Sequence, residues 1–250
     1  MKEIVSIVHQ KGGSGKTTTA HTLGVGLRKR GFKVLFIDMD GQASLSVIMQ
    51  ADQNKSGLLA LLDRKASVRE IVQKTPNGDI LAGSENLFQA DTLISGVGKE
   101  YRLKKALEDV KDEYDYIVID TPPALSALTV NALVASNSAI IASQAEWLNL
   151  NCIGNINKTI EAVREYCNEK LAIKGILLTQ FRERTRLNKA FATAISSVAD
   201  KLGSKVFKTP IRASIIVSEA QVKHVTVFDY APTSNVAKEY EAFIDEFLQT

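Results

Sequence analysis

Lys11 and Lys16 frame a short glycine-rich segment, QKGGSGKT at 10–17, directly after the apolar run EIVSIV at 3–8. The spacing approximates G-x-x-x-x-G-K-[ST], with Gln10 standing where the first glycine belongs. Gly12, Gly13 and Gly15 allow the backbone to wrap so that successive N–H groups face phosphate oxygens. A helix opening near Thr17 adds partial positive charge at the same place. Lys16 is then the cation for the outer phosphates, Thr17 offers its hydroxyl to Mg2+, and Ser14 and Thr18 complete the cradle. A strand-to-helix turn that holds no ligand is the plain alternative. The strand before, the helix after and the Lys-Thr pair favour phosphate. Lys11 is left over, too early to grip the same nucleotide and placed at the mouth of the loop.

Acids follow two further apolar runs. Asp38 and Asp40 lie in FIDMDGQAS at 36–44, and Asp120 ends YIVID at 116–120. Two residues apart in extended chain, Asp38 and Asp40 share a face. Asp120, after four apolar residues, is placed to hold Mg2+ through water. Alone, each acid could be a solvated strand-end carboxylate. Beside the phosphate loop, they supply what phosphoryl transfer needs, which is positioning and charge neutralisation rather than a strong base.

These residues need a scaffold that gathers strand ends. Apolar runs at 3–8, 33–38, 116–120, 138–142 and 173–181 read as buried strands. Helical spacing appears at 17–30, with Gly31 as its cap, and at 98–112, 146–169, 185–202 and 234–248. Such alternation predicts an α/β fold, a mostly parallel twisted sheet with helices on both faces. Right-handed crossovers then bring Lys11–Thr17, Asp38–Asp40 and Asp120 to one edge. Residues 50–95 are less regular and read as short helices and loops. With 250 residues, 45% hydrophobic, 24% charged and a net charge of +3, a single domain over 1–250 is expected. Two distant cysteines, Cys152 and Cys167, exclude a disulfide framework and fit a reducing compartment. The chain starts without a signal-peptide pattern, and no apolar run reaches the roughly 20 residues needed to cross a bilayer. None of the three histidines has a partner at metal-ligand spacing.

KGGSGKTT resembles the signature-lysine phosphate loop KGGxGK[ST] of the ParA/MinD group of P-loop ATPases. DTPPALSALTVNAL at 120–133 is similar to that group's DxPPSLxxLTxNAL. GILLTQFRERTRLNKAF (175–191) and TPIRASIIVSEAQVKHVTVFDYAPTSNVAKEYEAF (209–243) resemble segments of the partition branch. The resemblance implies ATP and Mg2+ as ligands and an ATP-dependent homodimer. In such a dimer Lys11 reaches across to the partner's phosphates, as an arginine finger does in trans. It further implies that Asp40 positions the attacking water, that Asp38 contacts the magnesium's water shell, and that Pro210 and Ile211 lie near the adenine. Two departures stand out: Gly41 replaces the group's proline after Asp40, and Ile216 replaces an arginine. The catalytic strand begins at residue 3, which suggests a short form without an N-terminal DNA-reading domain.

Partition ATPases of this kind bind duplex DNA non-specifically, which needs phosphate contacts rather than base readers. Arg182, Arg184, Arg186, Lys189 and Arg212 are the candidates, against the plain alternative of a solvated helix face. A ParB-like centromere-binding protein is the implied partner, and a cytoplasmic, nucleoid-associated location follows. A MinD-like membrane ATPase is the main alternative. It needs a basic amphipathic C-terminal helix, whereas EYEAFIDEFLQT is acidic, so no membrane partner is expected. A cluster-carrying relative would need matched cysteines, and a small-molecule kinase would leave Lys11 without a role.

Overall fold

A computed structural model describes residues 3–55, 57–182 and 186–250. Seven strands form one sheet: β1 (Glu3–Val8), β2 (Val34–Asp38), β3 (Gln73–Thr75), β4 (Gly78–Leu81), β5 (Tyr116–Asp120), β6 (Ser138–Gln144) and β7 (Ala172–Thr179). Their order is β3-β4-β2-β5-β1-β6-β7, parallel throughout except for the β3–β4 hairpin. The helices, in chain order, are α1 (Lys16–Lys29), α2 (Ser44–Ile48), α3 (Leu58–Leu62), α4 (Val68–Ile71), α5 (Ala90–Leu93), α6 (Arg102–Leu107), α7 (Ala127–Ala135), α8 (Trp147–Tyr166), α9 (Arg186–Lys201), α10 (Ile215–Val222), α11 (Val227–Tyr230) and α12 (Asn235–Leu248).

The strands are apolar at consecutive positions because both of their faces are covered. On β2, Val34 and Phe36 pack with Leu23 and Leu27 of α1 and Phe243 and Phe247 of α12. Leu35 and Ile37 point the other way, among Leu103, Leu107 and Ala132. Ala139 and Ile141 of β6 join Ile153, Ile156 and Ile160 of α8. The acidic α12 therefore keeps its apolar stripe inside the core, where Val236, Tyr240, Phe243, Ile244 and Phe247 are buried. α1 ends as its sequence predicts, with Gly31 left-handed at φ 88° and its N–H on Arg28 O.

Within 50–95 the structure adds to the sequence reading. Short helices are present, but so are β3 and β4, with β4 extending the parallel sheet beside β2. Four residues that begin Gly-Asp carry too little periodicity to declare a strand. The 98–112 stretch is broken into α6 flanked by 3-10 turns at Lys99–Tyr101 and Glu108–Val110.

Candidate active site

The loop 9–15 leaves the C-terminal end of β1 and turns into α1. Gly15 is left-handed at φ 88°, a conformation that favours glycine, and a Cβ there would crowd Thr179 Cγ2 at 3.2 Å. Three side chains from neighbouring strand ends hold the loop. Thr179 Oγ1 donates to Ser14 O at 2.6 Å, while Gln180 Nε2 and Gln144 Nε2 both donate to Gly13 O, at 2.6 and 3.1 Å. Gln180 adopts φ 49°, a left-handed conformation that costs a non-glycine residue energy. The loop's shape is thus secured by β6 and β7 before any phosphate arrives.

Lys16 is buried beneath the loop at 6% exposure, its Nζ 3.5 Å from Lys11 O. Burial holds its pKa below the usual lysine value, with Asp120 and then Asp40 pulling it back up. The two lysines therefore differ in kind. Lys11 stands at the mouth, half-exposed, and its Nζ donates to Glu146 Oε2 at 2.8 Å. Glu146 is the N-cap residue of α8, yet its side chain does not cap that helix.

Asp38 and Asp120 are register partners on adjacent parallel strands and both are fully buried. Thr17 Oγ1 donates to Asp120 Oδ2 at 2.6 Å. Asp120 Oδ1 is buried and has no hydrogen-bond partner among the described residues. Burial first, and the Asp38 charge second, push the Asp120 pKa up to about 8, with the Thr17 bond and Lys16 acting against them. A carboxylate with one unanswered buried oxygen, beside a threonine hydroxyl and the loop lysine, fits a hydrated divalent cation. Asp38 differs, because both of its oxygens are engaged within the protein. Oδ2 accepts from Ser46 N at 2.8 Å and Ser46 Oγ at 2.7 Å, and Oδ1 accepts from Asp40 N at 3.2 Å. Its pKa is raised to about 6, chiefly by burial. Asp40 lies in the turn beyond β2, where its Oδ1 accepts from Gln42 N and its carbonyl from Ala43 N.

One cavity of about 770 Å³ is lined by Gly12–Thr18, Asp40, Pro123, Thr179, Ile211 and Gln221. Gln221 Nε2 donates to Thr18 Oγ1 at 2.8 Å. Ile211 lines the cavity, whereas Pro210 does not. A second groove, of about 840 Å³, lies around the end of α1 and the β3–β4 turn and includes none of the predicted site residues.

Of the basic candidates, Arg182, Arg186 and Lys189 are exposed and enter no ion pair among the described residues. Arg184 lies outside the described residues. Arg212 lines the nucleotide-sized cavity, and its Nε and backbone N–H both donate to Glu239, at 2.6 and 2.9 Å. Cys152 and Cys167 are free thiols. Gln144, Thr179, Gln180 and Ser46 were not predicted from sequence, because a glutamine or threonine at a strand end carries no local signal of what it will touch.

A family model described as an AAA domain matches residues 2–173. The sporulation initiation inhibitor protein Soj of Bacillus subtilis (strain 168) is 37% identical over 246 residues, covering 96% of this chain and 96% of its own. The chromosome-partitioning ATPase Soj of Treponema pallidum (strain Nichols) is 34% identical over 251 residues, covering 99% of this chain and 98% of its own. Among solved structures, cobyrinic acid a,c-diamide synthase from Mycobacterium smegmatis, with a bound ATP analogue and magnesium, is similar at a TM-score of 0.86 and 28% identity, over 100% of this chain and 95% of that one. A family model over residues 2–173 and relatives 37% and 34% identical over nearly their full length show that this chain, with its two-lysine loop and paired strand-end acids, belongs to the ParA/Soj family of P-loop ATPases.

Proposed function

We propose that this chain is an ATP-dependent DNA-partition switch, in which ATP binding drives face-to-face dimerisation and hydrolysis reverses it. The observation that carries the reading is the division between the two lysines. Lys16 is buried under the loop, whereas Lys11 is half-exposed at its mouth, where its Nζ meets the surface carboxylate Glu146. A cation at the mouth can serve a nucleotide on a facing subunit, as an arginine finger supplied in trans does.

Within each subunit the N–H groups of residues 12–17 and Lys16 bind the triphosphate. Thr17 and Asp120 are the residues that would hold Mg2+, which when bound neutralises charge on the phosphates. Asp38 fixes the turn that carries Asp40, and Asp40 orients the attacking water. Ile211, which also lines the cavity, is the residue left to border the base. In the dimer, Arg182, Arg186 and Lys189 contact phosphates of duplex DNA without reading sequence, and a ParB-like partner stimulates hydrolysis. This reading places the chain in the cytoplasm, on the nucleoid.

A MinD-like membrane role has less support. The apolar stripe of α12 is buried in the core and is not free to lie on a membrane surface. The deciding experiment is light scattering of the Asp40→Ala variant with ATP, with ADP, and with ATP plus random duplex DNA. A doubled mass with ATP alone and a larger complex once DNA is added are expected. Monomers at saturating ATP and magnesium would refute the switch.

A further inference from the structure

Phe88 is 62% exposed, in a 3-10 turn (Glu85–Gln89) whose other apolar residue, Leu87, is buried in the core. The Phe88 ring covers the backbone of Gly41. A Cβ built on Gly41 would stand 2.8 Å from Phe88 Cε1 and 2.9 Å from Cδ1 and Cζ. Three consecutive ring carbons thus occupy the space that any side chain at 41 would need. Gly41 itself is buried, and it directly follows Asp40.

The same segment presses on the acid turn from a second point. A Cβ on Gly83 would lie 2.7 Å from Asp38 O and 2.9 Å from Asp40 O, so the Gly83 backbone rests against both carbonyls. Gly83 N donates to Ser46 Oγ at 2.8 Å, and that hydroxyl donates to Asp38 Oδ2. The chain leaving β4 is therefore tied to the turn on one side and laid over it on the other. Glycine at 41 widens the backbone conformations open to the turn directly after Asp40. A ring at van der Waals contact narrows them again.

We propose that Phe88 is a positioning residue for hydrolysis, acting through Gly41 to hold Asp40 in place. In this chain an aromatic ring from outside the turn supplies the stiffness that a residue within it lacks. The inference rests on the reading of Asp40 as the group that orients water, and the experiment separates the two.

Single-turnover ATP hydrolysis and nucleotide affinity are measured on the full chain for Phe88→Ala, Phe88→Tyr, Gly41→Ala, the Gly41→Ala/Phe88→Ala double variant and Asp40→Ala. Misplacing a water-orienting group by a fraction of an ångström costs on the order of tenfold in rate. Phe88→Ala is therefore expected to lose about that factor in kcat with unchanged ATP affinity, and Phe88→Tyr to restore it. Gly41→Ala should be slow because its Cβ displaces the ring, and the double variant no slower than either single one. Unaltered turnover in Phe88→Ala, while Asp40→Ala is inactive, overturns the role of Phe88 alone. A loss of ATP affinity equal to the loss of rate overturns it too, since that marks a general structural role. Normal turnover in Asp40→Ala removes the Asp40 reading itself.

Discussion

Lys11 Nζ sits 2.8 Å from Glu146 Oε2, across 135 residues of sequence. An ion pair this exposed contributes at most about 1 kcal/mol, so it parks the lysine without trapping it. Lys11→Ala is expected to keep ATP affinity and lose ATP-driven dimerisation. Glu146→Gln frees the lysine and should tighten the ATP dimer by up to about fivefold, the equivalent of that energy. Analytical ultracentrifugation at graded ATP reads both, and a Lys11→Ala variant that dimerises normally rules out action in trans.

Asp120→Asn separates stability from ligand binding. Burial pushes the Asp120 pKa up to about 8 when no cation faces it, which favours the neutral form, and asparagine resembles that form. The melting temperature without nucleotide should hold or rise. Magnesium-dependent ATP affinity should fall by at least about tenfold, or about 1.4 kcal/mol. Calorimetry with and without Mg2+ checks this, and equal affinity in both would argue against Asp120 as the cation's carboxylate.

Asp40→Ala should bind ATP and dimerise yet turn over at least about a hundredfold more slowly, the scale on which a single transition-state group acts. A phosphate-release assay on preformed dimers is decisive. Wild-type rates would mean that the water is oriented by another group.

Arg186 and Lys189 lie three apart in the first turn of α9, on one exposed side, with Arg182 just before it. Changing all three to glutamate should leave ATP dimers intact and abolish retention on random duplex DNA. If each contacts one phosphate, the slope of log K against log salt flattens by about 0.9 for each one neutralised and by about 2.7 when all three are neutralised together. Retention at full strength would move the DNA face elsewhere.

His21 is held neutral in the folded chain, its pKa lowered to about 4 by burial, with Asp229 acting in the opposite direction. Between the ordinary value of 6.5 and about 4 the unfolded chain binds the extra proton, so this contribution is full above pH 6.5 and is lost as pH falls. It amounts to about 3 kcal/mol. Asp38 and Asp120, whose pKa values are raised to about 6 and about 8, act with the opposite sign over an overlapping window, so the comparison must be with a variant. Urea unfolding should show the wild type losing stability relative to His21→Met as pH drops from 7 to 4.5. Parallel curves would contradict the burial argument.

The strand-to-helix turn of the glycine-rich loop, the acids at strand ends and the apolar runs of the sheet were legible in the chain itself, because each is a local pattern. A glycine-lysine-threonine run between strand and helix, or an acid after four apolar residues, carries its meaning within a dozen positions. Gly41, where the resemblance leads one to expect proline, was also visible, but its consequence was not. Tertiary structure alone decided that Phe88 lies over Gly41, that Glu146 meets Lys11, that Gln144 and Gln180 converge on Gly13 O, and that Arg212 turns towards Glu239. Those contacts join residues from different crossovers. Their side chains have no periodicity to betray a partner, and only the packing of strand ends at one edge of the sheet brings them within reach.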